Sequence, residues 1–329
     1  MKKVHTKGHR KLKLGVVLGA GLAKGFVHVG VLKVLHEQGI YPDYIAGTSV
    51  GAIIGAAYAA GRTPEDIEEI LQNTDWRNIV DFTLPKQGFL KGVVIESKIR
   101  TLVRGKRFEE LHIPLQVVAY DVTAKEKVQF SKGDVARAVR ASLSVPGIFT
   151  PVEIGKHMYI DGGIVDPLPV EVVREMGADV VLVVDSFIDE KRGRAPVVHE
   201  QSLLSQWKEQ FIVAELQELK LLLIPTNWPR VVKRFLRWVF DLLLYPARVV
   251  KMLAGVEMFP LPKLIYRAMA GMSDTLALEK MKNSKIDVIV KPHFKNLDGY
   301  DFEKIHLFVA LGEKAMRQKL GLLRRKLRR

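Results

Sequence analysis

Residues 14–61 read LGVVLGAGLAKGFVHVGVLKVLHEQGIYPDYIAGTSVGAIIGAAYAAG. Val16, Val17 and Leu18 form a short β-branched, apolar run that stops at Gly19 and Gly21, the pattern of a buried strand entering a tight loop. His28, Val31, Leu32 and Leu35 then recur at helical spacing, and Gly39 stands where that helix should end. A second strand is expected over 44–46. It runs into Gly47-Thr48-Ser49-Val50-Gly51, and a helix rich in small residues follows over 52–60 with Gly61 as its cap.

The pentad around Ser49 has the form G-x-S-x-G. A serine at a sharp strand-to-helix turn projects its hydroxyl clear of the sheet, and flanking glycines permit the turn. The following helix directs free N–H groups and a partial positive charge at an oxyanion formed there.

Downstream, Thr63-Pro64-Glu65-Asp66 reads as an N-cap, a first-turn proline and first-turn acids, opening a helix to about Leu71. The stretch 81–92 reads as irregular. A strand over 115–120 has a hairpin partner at 128–130, turned around Lys125 and Glu126. Asp134 is placed to cap a helix through Ala141. A strand at 158–160 delivers Asp161-Gly162-Gly163 at its end. A helix over 170–175 and a strand over 180–184 follow. Strands alternating with helices predict a mainly parallel sheet covered on both faces. Ligands bind such sheets at strand ends. The Gly19–Gly25 loop, Ser49 and Asp161 all stand at strand ends, so one cleft can hold them.

A serine hydroxyl is a poor nucleophile until a base takes its proton. The chain has nine histidines, none in a distinctive context. An aspartate can serve instead if it is held against the serine and shielded from water, and Asp161 is the candidate. A plain Asp-Gly-Gly turn is the structural alternative. The loop Gly19-Ala20-Gly21-Leu22-Ala23-Lys24-Gly25 would supply backbone N–H donors to a tetrahedral oxyanion. A dinucleotide loop is the rival reading, with Asp43 at the ribose distance, but Lys24 occupies its third glycine position.

Together these elements resemble the bacterial form of the patatin-like phospholipase family. Four stretches carry the resemblance: LGAGLAKG, GTSVGA, RASLSVPGIFTPV from Arg140 to Val152, and YIDGGIVDPLPV from Tyr159 to Val170. It covers 14 to about 185. It implies an α/β/α sandwich, three layers around a mostly parallel sheet. It also implies hydrolysis of lipid acyl esters by a Ser49–Asp161 dyad, with Gly19–Gly25 as the oxyanion loop and no metal or cofactor. The loop departs from the usual run of four glycines followed by A-R-G. Ala20 and Leu22 replace two glycines, and Lys24 holds the arginine position. A left-handed backbone at position 22 would strain leucine by ~1–3 kcal/mol.

The composition frames these motifs. The chain has 329 residues, no cysteine and a formal charge of +15. It therefore has no disulfide framework, thiolate metal site or cysteine nucleophile, and its charge favours an anionic partner. Residues 1–13 read as a basic tail ahead of one hydrolase domain over 14–329, interrupted by a basic helical insertion at about 190–272. Within 225–270, eight Lys/Arg face two acids. Val231, Phe235, Trp238 and Leu242 share one helical face, with Lys233, Arg234 and Arg237 on the other side, which suits an anionic membrane surface. A strand near 286–290 and a helix over 302–320 complete the pattern. No apolar run approaches the ~18 residues of a membrane-spanning helix. These features predict a cytoplasmic protein, free or docked at the inner membrane face. No recognisable reading motif supports nucleic-acid binding.

Overall fold

The computed structural model describes residues 11–76, 81, 90–187, 234, 260–294, 297, 299 and 301–328. Its strands are β1 (Leu14–Leu18), β2 (Tyr44–Thr48), β3 (Leu115–Asp121), β4 (Glu126–Phe130), β5 (Val152–Ile154), β6 (His157–Asp161), β7 (Val180–Val184) and β8 (Val288–Val290). They form one sheet in the order β5-β6-β3-β2-β1-β7-β8, with β4 also paired to β3. The centre, from β3 through β8, is parallel, whereas β4 and β6 run antiparallel to β3. β1 and β7 are buried at every position, as expected of parallel strands covered on both faces.

The helices are α1 (Val27–Glu37), α2 (Val50–Ala59), α3 (Pro64–Gln72), α4 (Val93–Leu102), α5 (Val135–Ser142), α6 (Val170–Glu175), α7 (Pro260–Asn283) and α8 (Ile305–Leu327). Side-chain alternation along the strands sorts the core into layers. Val16, Leu18, Ile45 and Val184 join the core with α1, α2 and α8. Val17, Ala46, Val181 and Val183 instead join the core with α6 and Ala277 of α7. The result is the three-layer α/β/α sandwich expected from the sequence.

Two glycines let α8 press against α1. A Cβ on Gly30 would lie 2.0 Å from the Val309 carbonyl, and one on Gly312 would lie 2.0 Å from the Val27 carbonyl. The Thr63–Asp66 capping box forms as expected, with reciprocal bonds of 3.1 and 3.2 Å. Other boundaries move. α2 begins at Val50, and the last helix, opened by a 3-10 turn at Phe302–Lys304, extends to Leu327. The sequence reading has neither α4 nor β5. α4 starts with three β-branched residues and takes its cap from far upstream, where Asp81 accepts from the Gly92 and Val93 amides at 2.6 Å. The expected basic insertion lies outside the described residues up to 259, apart from Arg234. No helix among the described residues is long and apolar enough to cross a membrane.

Candidate active site

Ser49 sits between β2 and α2 with φ 56° and ψ −123°, a strained conformation for a residue with a side chain. Glycine is required on both sides. A Cβ on Gly47 would meet Ala52 Cα at 2.7 Å, and one on Gly51 would meet the Leu18 carbonyl at 2.0 Å. The turn is held by hydroxyl hydrogen bonds to distant parts of the chain. The Ser49 amide donates to Ser142 Oγ at 2.8 Å, and that hydroxyl donates to the Val118 carbonyl at 2.6 Å. Thr48 Oγ1 donates to the Asp166 carbonyl at 2.9 Å.

The sheet register explains why Asp161 reaches Ser49. β2 pairs with β3 up to Thr48↔Val118. β6 pairs with β3 from Asp161↔Ala119 onward. β4 pairs with all of Val117 to Asp121 and so fills the opposite edge. β2 and β6 therefore approach head to head along one edge of β3, and their last residues adjoin. Ser49 Oγ donates to Asp161 Oδ2 at 2.8 Å, while the Gly163 amide donates to Asp161 Oδ1 at 2.7 Å. Both side chains belong to buried residues. Burial lifts the Asp161 pKa to about 6, against the lowering effect of the Gly163 and Ser49 bonds. Gly162 allows the close approach, since a Cβ there would lie 2.4 Å from the Val118 carbonyl.

The glycine loop closes the site. After Gly19 and Ala20 it forms a 3-10 turn over Leu22–Phe26. A Cβ on Gly25 would strike Val50 Cγ1 at 2.1 Å, and one on Gly163 would lie 3.5 Å from Ala20 Cβ. The loop thus touches both the serine turn and the aspartate turn. The Ala20 amide donates to the Pro167 carbonyl at 3.1 Å, and the Ala23 amide to the Gly299 carbonyl at 3.0 Å. The amides of Gly21 and Leu22 lie between them, on half-exposed residues, and donate to no backbone carbonyl among the described residues. Leu22 has φ 50°, the left-handed conformation whose strain the sequence raised. Lys24 places its ammonium 5.2 Å above the Phe294 ring.

No histidine is hydrogen-bonded to Ser49 among the described residues. His28 bonds the Gly19 carbonyl at 2.8 Å, and His157 bonds Asp121 at 2.6 Å. The dinucleotide reading fails on topology. Asp43 precedes β2 and accepts from the Leu14 amide at 2.8 Å, at the opposite end of the strands from the glycine loop. Sequence reasoning gave no role to Ser142, Ser186 or Arg140. Ser142 and Arg140 stand in the RASLSVPG stretch, whose density of small polar residues beside a turn was the available signal. Among the described residues, no group of three His, Asp or Glu could hold a metal ion.

Comparison with known proteins bears on the family and the fold. Residues 16–174 match the patatin-like phospholipase family. An uncharacterized NTE family protein of Mycobacterium tuberculosis is 34% identical over 184 residues, covering 55% of this chain and 51% of its own. Patatin-like phospholipase domain-containing protein 7 of Rattus norvegicus is 35% identical over 182 residues, covering 52% of this chain and 13% of that protein. The chain thus spans about half the length of its mycobacterial relative and far less of the mammalian one. The crystal structure of VipD from Legionella pneumophila aligns with 95% of this chain and 67% of its own, with a TM-score of 0.50. At 14% identity, that likeness concerns the fold alone. Over residues 16–174, then, the chain carries a patatin-like phospholipase domain.

Proposed function

We propose that this protein is a serine acyl hydrolase that cleaves lipid acyl esters, of the phospholipase or lysophospholipase type. The observation that carries the reading is the 2.8 Å bond from Ser49 Oγ to Asp161 Oδ2, with two loop amides that have no backbone partner among the described residues. Asp161 takes the serine proton as Oγ attacks the ester carbonyl carbon. The Gly21 and Leu22 amides stabilise the tetrahedral oxyanion, and one such donor is worth ~2.7–4 kcal/mol in a transition state. Collapse breaks the ester bond, and Asp161 returns the proton to the leaving alcohol. Water then gives a proton to Asp161 and attacks the acyl-enzyme, releasing the fatty acid and restoring Ser49. A carboxylate with a pKa near 6 is better matched to both proton transfers than an ordinary aspartate.

The substrate lies in a lipid interface, so the reading includes peripheral docking on anionic membrane through 225–270. Hydrolysis of a panel of phospholipids and lysophospholipids, with Ser49→Ala as control, tests it. Release of fatty acid by the wild type alone supports the reading, and equal release by both proteins defeats it. The strained Leu22 favours a second reading, a catalytically weak patatin fold that binds lipid or membrane. Lipid binding without fatty-acid release or fluorophosphonate labelling would select that alternative.

A further inference from the structure

Two buried side chains behind the Gly19–Gly25 loop take no part in the steps above. His28, on α1, is fully buried, with Nε2 2.8 Å from the Gly19 carbonyl. A carbonyl only accepts, so Nε2 carries the proton and Nδ1 presents a lone pair. Nδ1 has no hydrogen-bond partner among the described residues. Burial pulls the imidazole pKa down to about 4, against the raising effect of the Gly19 bond, so the ring is neutral near pH 7. Packing alone gives no reason for this ring, because an apolar side chain would fill the space without an orphaned nitrogen. What the imidazole adds is a donor to Gly19. Ser186, also fully buried and just past β7, donates its hydroxyl to the Ala20 carbonyl.

These bonds fix two successive peptide planes. The described chain has no cis peptide bonds, and in a trans peptide C=O and N–H point in opposite directions. The plane joining Gly19 to Ala20 is held at both ends, by His28 on its oxygen and by the Pro167 carbonyl on its N–H. The plane joining Ala20 to Gly21 has its oxygen on Ser186. Its other end, the Gly21 N–H, therefore points away from Ser186 and the buried interior. There is little slack, since a Cβ on Gly21 would sit 2.7 Å from Ser186 Oγ.

We propose that Ser186 and His28 are positioning residues that aim the Gly21 amide at the oxyanion by holding the Gly19 and Ala20 carbonyls from behind. The proposal rests on the acyl-hydrolase reading and adds the residues that set its transition-state geometry. The test compares Ser186→Ala with Ser186→Thr, which keeps the hydroxyl. It also compares His28→Leu with His28→Gln, whose amide nitrogen can occupy the Nε2 position. Steady-state hydrolysis of p-nitrophenyl butyrate, the rate of fluorophosphonate labelling and thermal melts are measured for each.

Ser186→Ala and His28→Leu should each lower kcat and the labelling rate by about a hundredfold, with KM within about threefold of wild type. Melting should change little, and the Thr and Gln variants should recover most of the rate. Unchanged kcat in Ser186→Ala would overturn the proposal. So would a loss that Ser186→Thr shares in full, which would mark a packing role. Should His28→Leu fail to fold, the Ser186 pair decides the matter. A wild type inert to both ester and phosphonate would instead overturn the hydrolase reading itself, and this proposal with it.

Discussion

Asp161 carries an energetic cost along with its role. Its pKa rises from an ordinary 3.8 to about 6, chiefly through burial. The native state therefore binds this proton more tightly than the unfolded chain does. Stability from this group falls as pH rises from about 4 to about 6, and the ionised carboxylate costs roughly 3 kcal/mol above that window. Asp161→Asn should raise the unfolding free energy by roughly 2–3 kcal/mol at pH 8 and hardly at all at pH 4, as read from urea titrations. The same change should abolish esterase activity, and wild-type kcat/KM should fall as pH drops below about 6. Leu22 poses a second residue-scale question. A left-handed leucine costs ~1–2 kcal/mol that glycine would not. Leu22→Gly should preserve or raise turnover. A large loss of activity at unchanged stability would instead make Leu22 part of the acyl pocket.

At the scale of elements, buried polar side chains join pieces that sequence proximity does not. Arg140 on α5 is 1% exposed and stacks over Phe149 at 4.8 Å. It donates to the Gly92, Lys91 and Thr150 carbonyls and to Ser144 Oγ, at 2.6–3.1 Å. Burial pulls its pKa down to about 10, opposed by the field of Asp81, so it stays charged at pH 7. A single ammonium cannot serve this set of acceptors. Arg140→Lys should lower the unfolding free energy by about 2 kcal/mol or more, measured by denaturant titration. Such links also mark the limits of legibility. Strands β1, β2 and β7 were readable because parallel strands leave continuous apolar runs. The turns that carry Ser49 and Asp161 were readable because they need glycine at fixed offsets. Ser142, Ser186 and the Asp81 cap of α4 act over long separations, and a lone serine or aspartate leaves no periodic trace.

The whole molecule combines a buried Ser49–Asp161 pair with a formal charge of +15. Near an anionic leaflet each Lys or Arg adds about 1 kcal/mol, fading within a Debye length. Binding to anionic vesicles should weaken as salt rises. A Lys233→Glu, Arg234→Glu, Arg237→Glu variant should lose vesicle binding and vesicle hydrolysis while retaining hydrolysis of a soluble short-chain ester. Equal vesicle binding by variant and wild type, in a sedimentation assay, would remove 225–270 from the membrane contact.

The central claim is that Asp161 alone activates Ser49. Its most direct measurement is the rate and site of fluorophosphonate attachment, followed by intact mass and peptide mapping across pH. The expected result is a single adduct on Ser49, forming faster as pH rises through about 6. The adduct should be absent in Ser49→Ala and nearly absent in Asp161→Asn, and it should form at the wild-type rate in His157→Ala. An adduct on another residue, or an undiminished rate in Asp161→Asn, would contradict the account.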